Sequence, residues 1–130
     1  MNTLTGKVAI VTGAGKGIGK AIAQRLFDED VKGLAIFEWD EELAKAAAKD
    51  IDPSGERVIA IKCDVSNDAQ VKAGVDKVVE TFGTVDILVN NAGITRDHIF
   101  HKLTDDDWDK VMAVNVNGMY YTCKYCVPIM

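Results

Sequence analysis

The segment Thr12-Gly13-Ala14-Gly15-Lys16-Gly17-Ile18-Gly19 has the residue types and spacing to bind phosphate. It directly follows the apolar run Val8-Ala9-Ile10-Val11 and precedes the helix-compatible stretch Lys20 to Asp28. A buried strand that feeds a glycine-rich turn into a helix start collects backbone N–H groups at one point. The helix dipole adds partial positive charge there. Glycine is required because a Cβ would block both the turn and the approach of a pyrophosphate. Gly13, Gly17 and Gly19 are spaced G-x-x-x-G-x-G. This is not G-x-G-x-x-G, because Ile18 stands where the third glycine is needed. Nor is it a Walker A loop, because neither Lys16 nor Lys20 is followed by Ser or Thr. A plain tight turn is the competing reading, and three spaced glycines between strand and helix argue against it.

Four apolar runs must carry this loop and the other polar candidates. They are Lys7–Val11, Gly33–Glu38, Arg57–Lys62 and Val85–Val89, all short and largely unalternating, as expected of strands covered on both faces. Helical spacing marks Gly17–Asp28, Glu41–Ile51, Asn67–Phe82 and Asp105–Cys126. In the third helix Val71, Val75, Val78, Val79 and Phe82 recur on one face, and Gly83 suits the C-terminal cap. In the fourth, Thr104 followed by Asp107 is a capping-box pattern. Strand–helix alternation at this spacing predicts βαβ units and an α/β fold with a parallel sheet. Thr12, Glu38, Asp64 and Asn90 then fall at the carboxyl ends of the four strands. That is the crevice in which open α/β sheets bind ligands.

Composition bounds the function. The chain has 130 residues and a net charge of -5, so nucleic acid is not expected as a partner. No apolar run approaches the roughly 20 residues that span a bilayer. Met1-Asn2-Thr3-Leu4-Thr5-Gly6 lacks the basic start and apolar core of a secretory leader. Three cysteines, an odd and sparse number, fit a reducing cytoplasm better than a disulfide framework.

With these residues in view, the chain resembles the short-chain dehydrogenase/reductase family over essentially its whole length. The glycine loop matches that family's cofactor motif. Asp64-Val65 follows the third strand, where the family's Asp meets the adenine amino group. Asn90-Asn91-Ala92-Gly93 follows the fourth strand and matches the N-N-A-G signature. Asn115 stands where the family places the Asn of its proton relay. The run Asn90 to Asp97 looks most like the β-ketoacyl-acyl-carrier-protein reductase and acetoacetyl-CoA reductase branch. The resemblance implies a Rossmann-type doubly wound sheet of strand order 3-2-1-4 across 1–130, a dinucleotide-binding domain that stops after four βα units. It implies reduction of a 3-oxoacyl thioester with a nicotinamide dinucleotide. Its cofactor site comprises Thr12, Gly13, Gly15, Lys16, Gly17, Ile18, Gly19, Glu38, Asp64, Val65, Asn90, Ala92 and Gly93, with Asn115 as the catalytic residue. No metal is expected.

Two residues bear on the choice between NAD and NADP. Glu38 ends the second strand, where a carboxylate accepts from ribose hydroxyls and repels a 2′-phosphate. Lys16, just before the second motif glycine, resembles the basic residue of NADP-preferring members. The acidic group Glu38, Asp40, Glu41 and Glu42 dominates the local charge, so NAD is favoured.

Projected at about 100° per residue, Trp108, Val111, Met112, Asn115, Met119, Thr122, Cys123 and Cys126 form one stripe of the fourth helix. That stripe is expected to face the sheet, with Cys123 and Cys126 as core residues rather than ligands. Tyr120 and Lys124 have Y-x-x-x-K spacing but project off the stripe. The family's Tyr–Lys pair lies on the next long helix, so this pair is a coincidence of spacing. His98 and His101 belong to a loop on the substrate side in the resembling family, not to a metal site. The resemblance also implies about as much chain again, holding a fifth strand, the active-site Ser and the Tyr–Lys pair. Without it the chain alone is expected to be inactive, and the apolar fourth strand is expected to be an edge that drives homo-oligomer formation.

Overall fold

The structure, a computed structural model, describes residues 3–130. The leader reading rests in part on Met1 and Asn2, which lie outside the described residues. Strands β1 (Val8–Thr12), β2 (Gly33–Glu38), β3 (Val58–Lys62) and β4 (Ile87–Val89) form one parallel sheet in the order β3-β2-β1-β4. Helices α1 (Gly17–Asp28), α2 (Glu41–Ile51) and α3 (Asp68–Phe82) connect them. Beyond β4 come a 3-10 turn at Phe100–Lys102, α4 (Asp105–Met112), a π-helical segment Ala113–Asn117 and α5 (Gly118–Cys126).

β1 and β2 are buried along their full length, and their side chains alternate between two cores. Ala9, Val11, Leu34 and Ile36 pack with Ala23, Ala44 and Ala47 of α1 and α2. Val8, Ile10, Ala35 and Phe37 pack with Val71, Val75 and Val78 of α3 and Cys126 of α5. This two-sided burial explains why the runs read as unalternating. β3 and β4 are covered less fully, with mostly half-buried side chains.

Local capping sets the helix ends. Asp40 accepts from Glu42 and Leu43 at the start of α2, Asn67 accepts from Gln70 at the start of α3, and the capping box of Thr104 and Asp107 forms at α4. Gly83 closes α3 with φ 91, a left-handed backbone that glycine adopts without strain.

The bounds of β1, β3 and α3 differ from expectation by one residue, and two elements differ by more. β4 begins at Ile87 rather than Val85 because Asp86 takes over the ladder: its N–H donates to Val8 O and its carboxylate accepts from Val8 N, both at 2.8 Å. The fourth helix runs to Cys126 as expected but is not α-helical throughout. Its π-helical turn at Ala113–Asn117 uses the wider i→i+5 pattern, so a projection at the α-helical angle loses phase across it. Gly118, Thr122 and Cys126 are buried, whereas Trp108, Met112, Met119 and Cys123 are exposed. Cys123 is therefore a surface thiol and not a core residue.

Candidate functional site

The carboxyl ends of the strands border a cleft of about 850 Å³. Gly13, Lys16, Gly17, Glu38, Asp64, Val65, Ala92 and Gly93 line it. Thr12, Gly15, Ile18, Gly19, Asn90 and Asn115 do not line it; Ile18 is an exposed side chain, and the other five make close contacts or hydrogen bonds near it.

Thr12 is 1% exposed. Its hydroxyl accepts from the N–H groups of Asn91 and Ala92, both at 3.0 Å, and joins the glycine loop to the loop after β4. Asn91 completes the junction by donating its amide to Gly13 O at 3.1 Å. The glycines make this junction possible. A Cβ at Gly13 would lie 2.9 Å from Ala92 Cα, and one at Gly19 would lie 2.3 Å from Gly13 O. The side chain of Lys16, which precedes α1, makes no capping bond, and the first turn of α1 carries no acid. The free N–H groups of that turn meet the cleft at Gly17, an arrangement suited to an anion.

Glu38 is 7% exposed and folds under the same loop. Its Oε2 accepts from Trp39 N at 2.9 Å. A Cβ at Gly15 would come within 2.6 Å of Oε1, so the loop and the carboxylate fit only because residue 15 is glycine. Asp64 is exposed, and its Oδ1 accepts from Ser66 N at 3.0 Å and Ser66 Oγ at 2.6 Å. Asn90 accepts from Thr122 Oγ1 at 2.5 Å and donates toward Cys123 Sγ at 3.6 Å, fastening α5 to the end of β4.

Asn115 sits in the π-helical turn, half-buried. Its Oδ1 accepts from Ile94 N at 2.8 Å, and its Nδ2 donates to Ile94 O at 3.0 Å. The amide is thus satisfied by one backbone residue, which pins the loop over the cleft to the helix. At Asn115 the expected contact with the sheet is replaced by a contact with that loop, whereas Cys126 on the same stripe packs against the sheet as expected. Tyr120 is 63% exposed and does not line the cleft. Lys124 lies 3.4 Å from Asp68, so its charge is engaged with α3.

Several lining residues carry no distinguishing signal in the sequence. Asn91 and Asn90 are indistinguishable as letters, yet only Asn91 reaches the glycine loop. Trp39 stands 70% exposed beside Glu38 and borders the cleft. Gln70 also borders it, from the first turn of α3. Cys63 borders the cleft while its side chain packs in the core, and burial pushes the thiol up to about 12. Burial likewise raises Cys126 to about 11. Among the described residues no group of three or more His, Cys, Asp or Glu is placed to hold a metal ion. His98 instead lies 3.2 Å from Asp107. No described helix is long and apolar enough to cross a membrane.

The 3-2-1-4 parallel sheet, with a glycine cradle at its carboxyl edge, defines a Rossmann-type α/β protein. Residues 7–130 match the short chain dehydrogenase family model. The chain belongs to that family. It is 40% identical over 128 residues to the 3-oxoacyl-[acyl-carrier-protein] reductase of Chlamydia pneumoniae, covering 98% of this chain and 51% of the relative. The corresponding reductase of Staphylococcus aureus strain Mu50 is 37% identical, with 95% and 50% covered. A short chain dehydrogenase/reductase of Burkholderia phymatum, solved in complex with NAD, superposes with a TM-score of 0.93 at 36% identity, covering 100% of this chain and 46% of that one. The 3-ketoacyl-(acyl-carrier-protein) reductase of Brucella melitensis, complexed with NADH, gives 0.91 at 35% identity, with 98% and 51% covered. The chain spans about half the length of the curated relatives it matches.

Proposed function

We propose that residues 1–130 form the dinucleotide-binding part of an oxidoreductase that reduces a 3-oxoacyl thioester to its 3-hydroxyacyl form, with NADH as the favoured cofactor. The observation that carries this reading is the fit between the glycine cradle and its neighbours. Gly13, Gly15 and Gly19 each admit a group that a Cβ would exclude, and the uncapped start of α1 supplies donors for a pyrophosphate. Glu38 and Asp64 offer acceptors on the same cleft for ribose hydroxyls and an amino group. The relatives named above support the reaction class, because those proteins are named for 3-oxoacyl carrier-protein reduction.

A bound nicotinamide would supply the hydride. This chain's own part is to bind and orient. Asn115 holds the loop at Ile94, and we assign it the place of the relay Asn in the full reductase. Glu38 disfavours a 2′-phosphate by charge, whereas Lys16 in the glycine loop would attract one. The buried carboxylate beside the ribose position is the reason NADH is favoured. A second reading, nucleotide binding without chemistry, is supported by one observation: both polar atoms of the Asn115 amide are already bonded to Ile94. As partners we infer the dinucleotide, an acyl thioester and a second copy of the protein.

Calorimetric titration with NADH, NADPH and ADP-ribose tests the cofactor reading. NADH and ADP-ribose should bind alike and NADPH more weakly; a clear NADPH preference would overturn the argument from Glu38. Adding a 3-oxoacyl thioester and following NADH oxidation separates catalysis from binding alone. Light scattering reads the association state.

A further inference from the structure

The sheet ladder ends at Cys63, whose N–H donates to Glu38 O at 2.9 Å. The next N–H, that of Asp64, has no strand carbonyl and donates to Gln70 Oε1 at 2.9 Å. Gln70 is fixed in turn, because its own N–H donates to Asn67 Oδ1 at 3.1 Å. Asn67 N then donates to Asp64 O at 2.9 Å. The first turn of α3 therefore reaches back and holds both backbone groups of Asp64. Ser66 occupies Oδ1 of the Asp64 carboxylate with two donors. Among the described residues Oδ2 accepts no hydrogen bond. Ser66, Gln70 and Asp64 all line the cleft.

A carboxylate held at its backbone and at one oxygen offers the other oxygen in a fixed direction. An ionised carboxylate only accepts. It therefore favours a donor such as an exocyclic amine and opposes a carbonyl at the same place. We propose that Gln70 is a positioning residue that sets base specificity, holding Asp64 so that the cleft takes a 6-aminopurine dinucleotide and rejects its 6-oxopurine counterpart. This inference rests on the dinucleotide reading of the cleft. Gln70 acts through Asp64 and has no part in hydride transfer. Loss of its acceptor orphans the Asp64 N–H and lets the carboxylate turn. Contacts to the pyrophosphate, made by the glycine loop at the end of β1, stay in place.

The test is calorimetric titration of the full chain with NADH and with its hypoxanthine counterpart, for wild type, Gln70→Ala and Gln70→Glu. Wild type should prefer NADH by about tenfold or more, the worth of a hydrogen bond to a charged acceptor. Gln70→Ala should bring the two ligands within about threefold of each other, and Gln70→Glu, which keeps an acceptor at the same reach, should restore the preference. Should Gln70→Ala fail to fold, Gln70→Leu, close in size and without an acceptor, carries the test, with the same narrowing expected. Equal weakening of both ligands in the variants would overturn the role given to Gln70. Equal binding of both by wild type would overturn the Asp64 contact itself. No binding of either by folded wild type would overturn the cleft reading together with this inference.

Discussion

The buried hydroxyl of Thr12 receives two consecutive backbone N–H groups, those of Asn91 and Ala92, at 3.0 Å each. One side chain at the end of β1 thereby fixes the loop at the end of β4. Removing the hydroxyl takes the acceptor from both donors at once. Thr12→Val is nearly the same size and should destabilise the fold by about 2–6 kcal/mol, from ~1–3 kcal/mol per orphaned donor. Thr12→Ser should recover most of that loss. Urea unfolding of the two variants side by side gives the comparison.

Gly17 and Gly19 look equivalent in the sequence but should respond differently to alanine. Gly17 has φ +60 and nothing within 4 Å of the place a Cβ would take, so Gly17→Ala carries only backbone strain, about 1–2 kcal/mol. A Cβ at Gly19 would sit 2.3 Å from Gly13 O and 2.4 Å from Asn91 Nδ2. The loop junction would have to open, so Gly19→Ala should abolish NADH binding at concentrations where Gly17→Ala still binds. Retained affinity in Gly19→Ala would mean that the junction yields without cost.

Acid sensitivity should have an identifiable local source. Asp52 is buried and accepts from the Ser54 hydroxyl at 2.5 Å, Ser54 N at 3.1 Å and Arg57 N at 2.9 Å. Led by the Ser54 hydroxyl and then the Arg57 N–H, these donors hold its carboxyl below the usual value. A folded-state pKa below the unfolded one, about 3.9, gives stability that is complete above the unfolded value. That stability is lost as the pH falls through the folded one. Asp52→Asn should thus unfold more easily at neutral pH and show a shallower decline below about pH 4, read from urea midpoints across the acid range.

Tyr120 and Lys124 have the spacing of the Tyr–Lys pair that the family resemblance implies, and the expectation is that they take no part in binding. Tyr120 is an exposed ring outside the cleft, and Lys124 is engaged with Asp68. Tyr120→Phe should leave NADH affinity unchanged and stability within the ~0.5 kcal/mol typical of surface changes. A large loss of binding would place the cleft's functional boundary on α5.

The features legible in the sequence are those set by local patterns. Glycine spacing marks the cradle, apolar runs mark β1 and β2, and the Thr104–Asp107 box marks the start of α4. The features that escape such a reading depend on partners far along the chain. Asp86 shortens β4 only because Val8 N lies beside it. The π-helical turn holds Asn115 against Ile94, and no periodicity within the helix reveals that partner. Trp108 and Met112, which share the apolar stripe of the projection, are exposed in the fold. Asn91 and Gln70 are ordinary polar letters until the fold brings Gly13 and Asp64 to them.

The tight contact between α5 and the cleft wall provides the last prediction. A Cβ on Gly118 would lie 2.8 Å from Val65 Cγ2 and 3.2 Å from Val65 Cβ. Val65 lines the cleft one residue after Asp64. Two effects compete in Gly118→Ala: alanine favours a helix by up to about 1 kcal/mol over glycine, and overpacking costs about 1–3 kcal/mol. The contact should win, because the obstructing atoms include the branched Cβ and not merely a flexible tip. Gly118→Ala should therefore lower the melting temperature slightly and weaken NADH binding by displacing Val65. Val65→Ala removes the obstructing methyl groups, so the double variant should be more stable than the sum of the single changes predicts. A coupling of about 0.5 kcal/mol or more would establish the contact, since uncoupled sites add within ~0.3–0.5 kcal/mol. Strict additivity would mean that α5 shifts as a body and leaves Val65 in place.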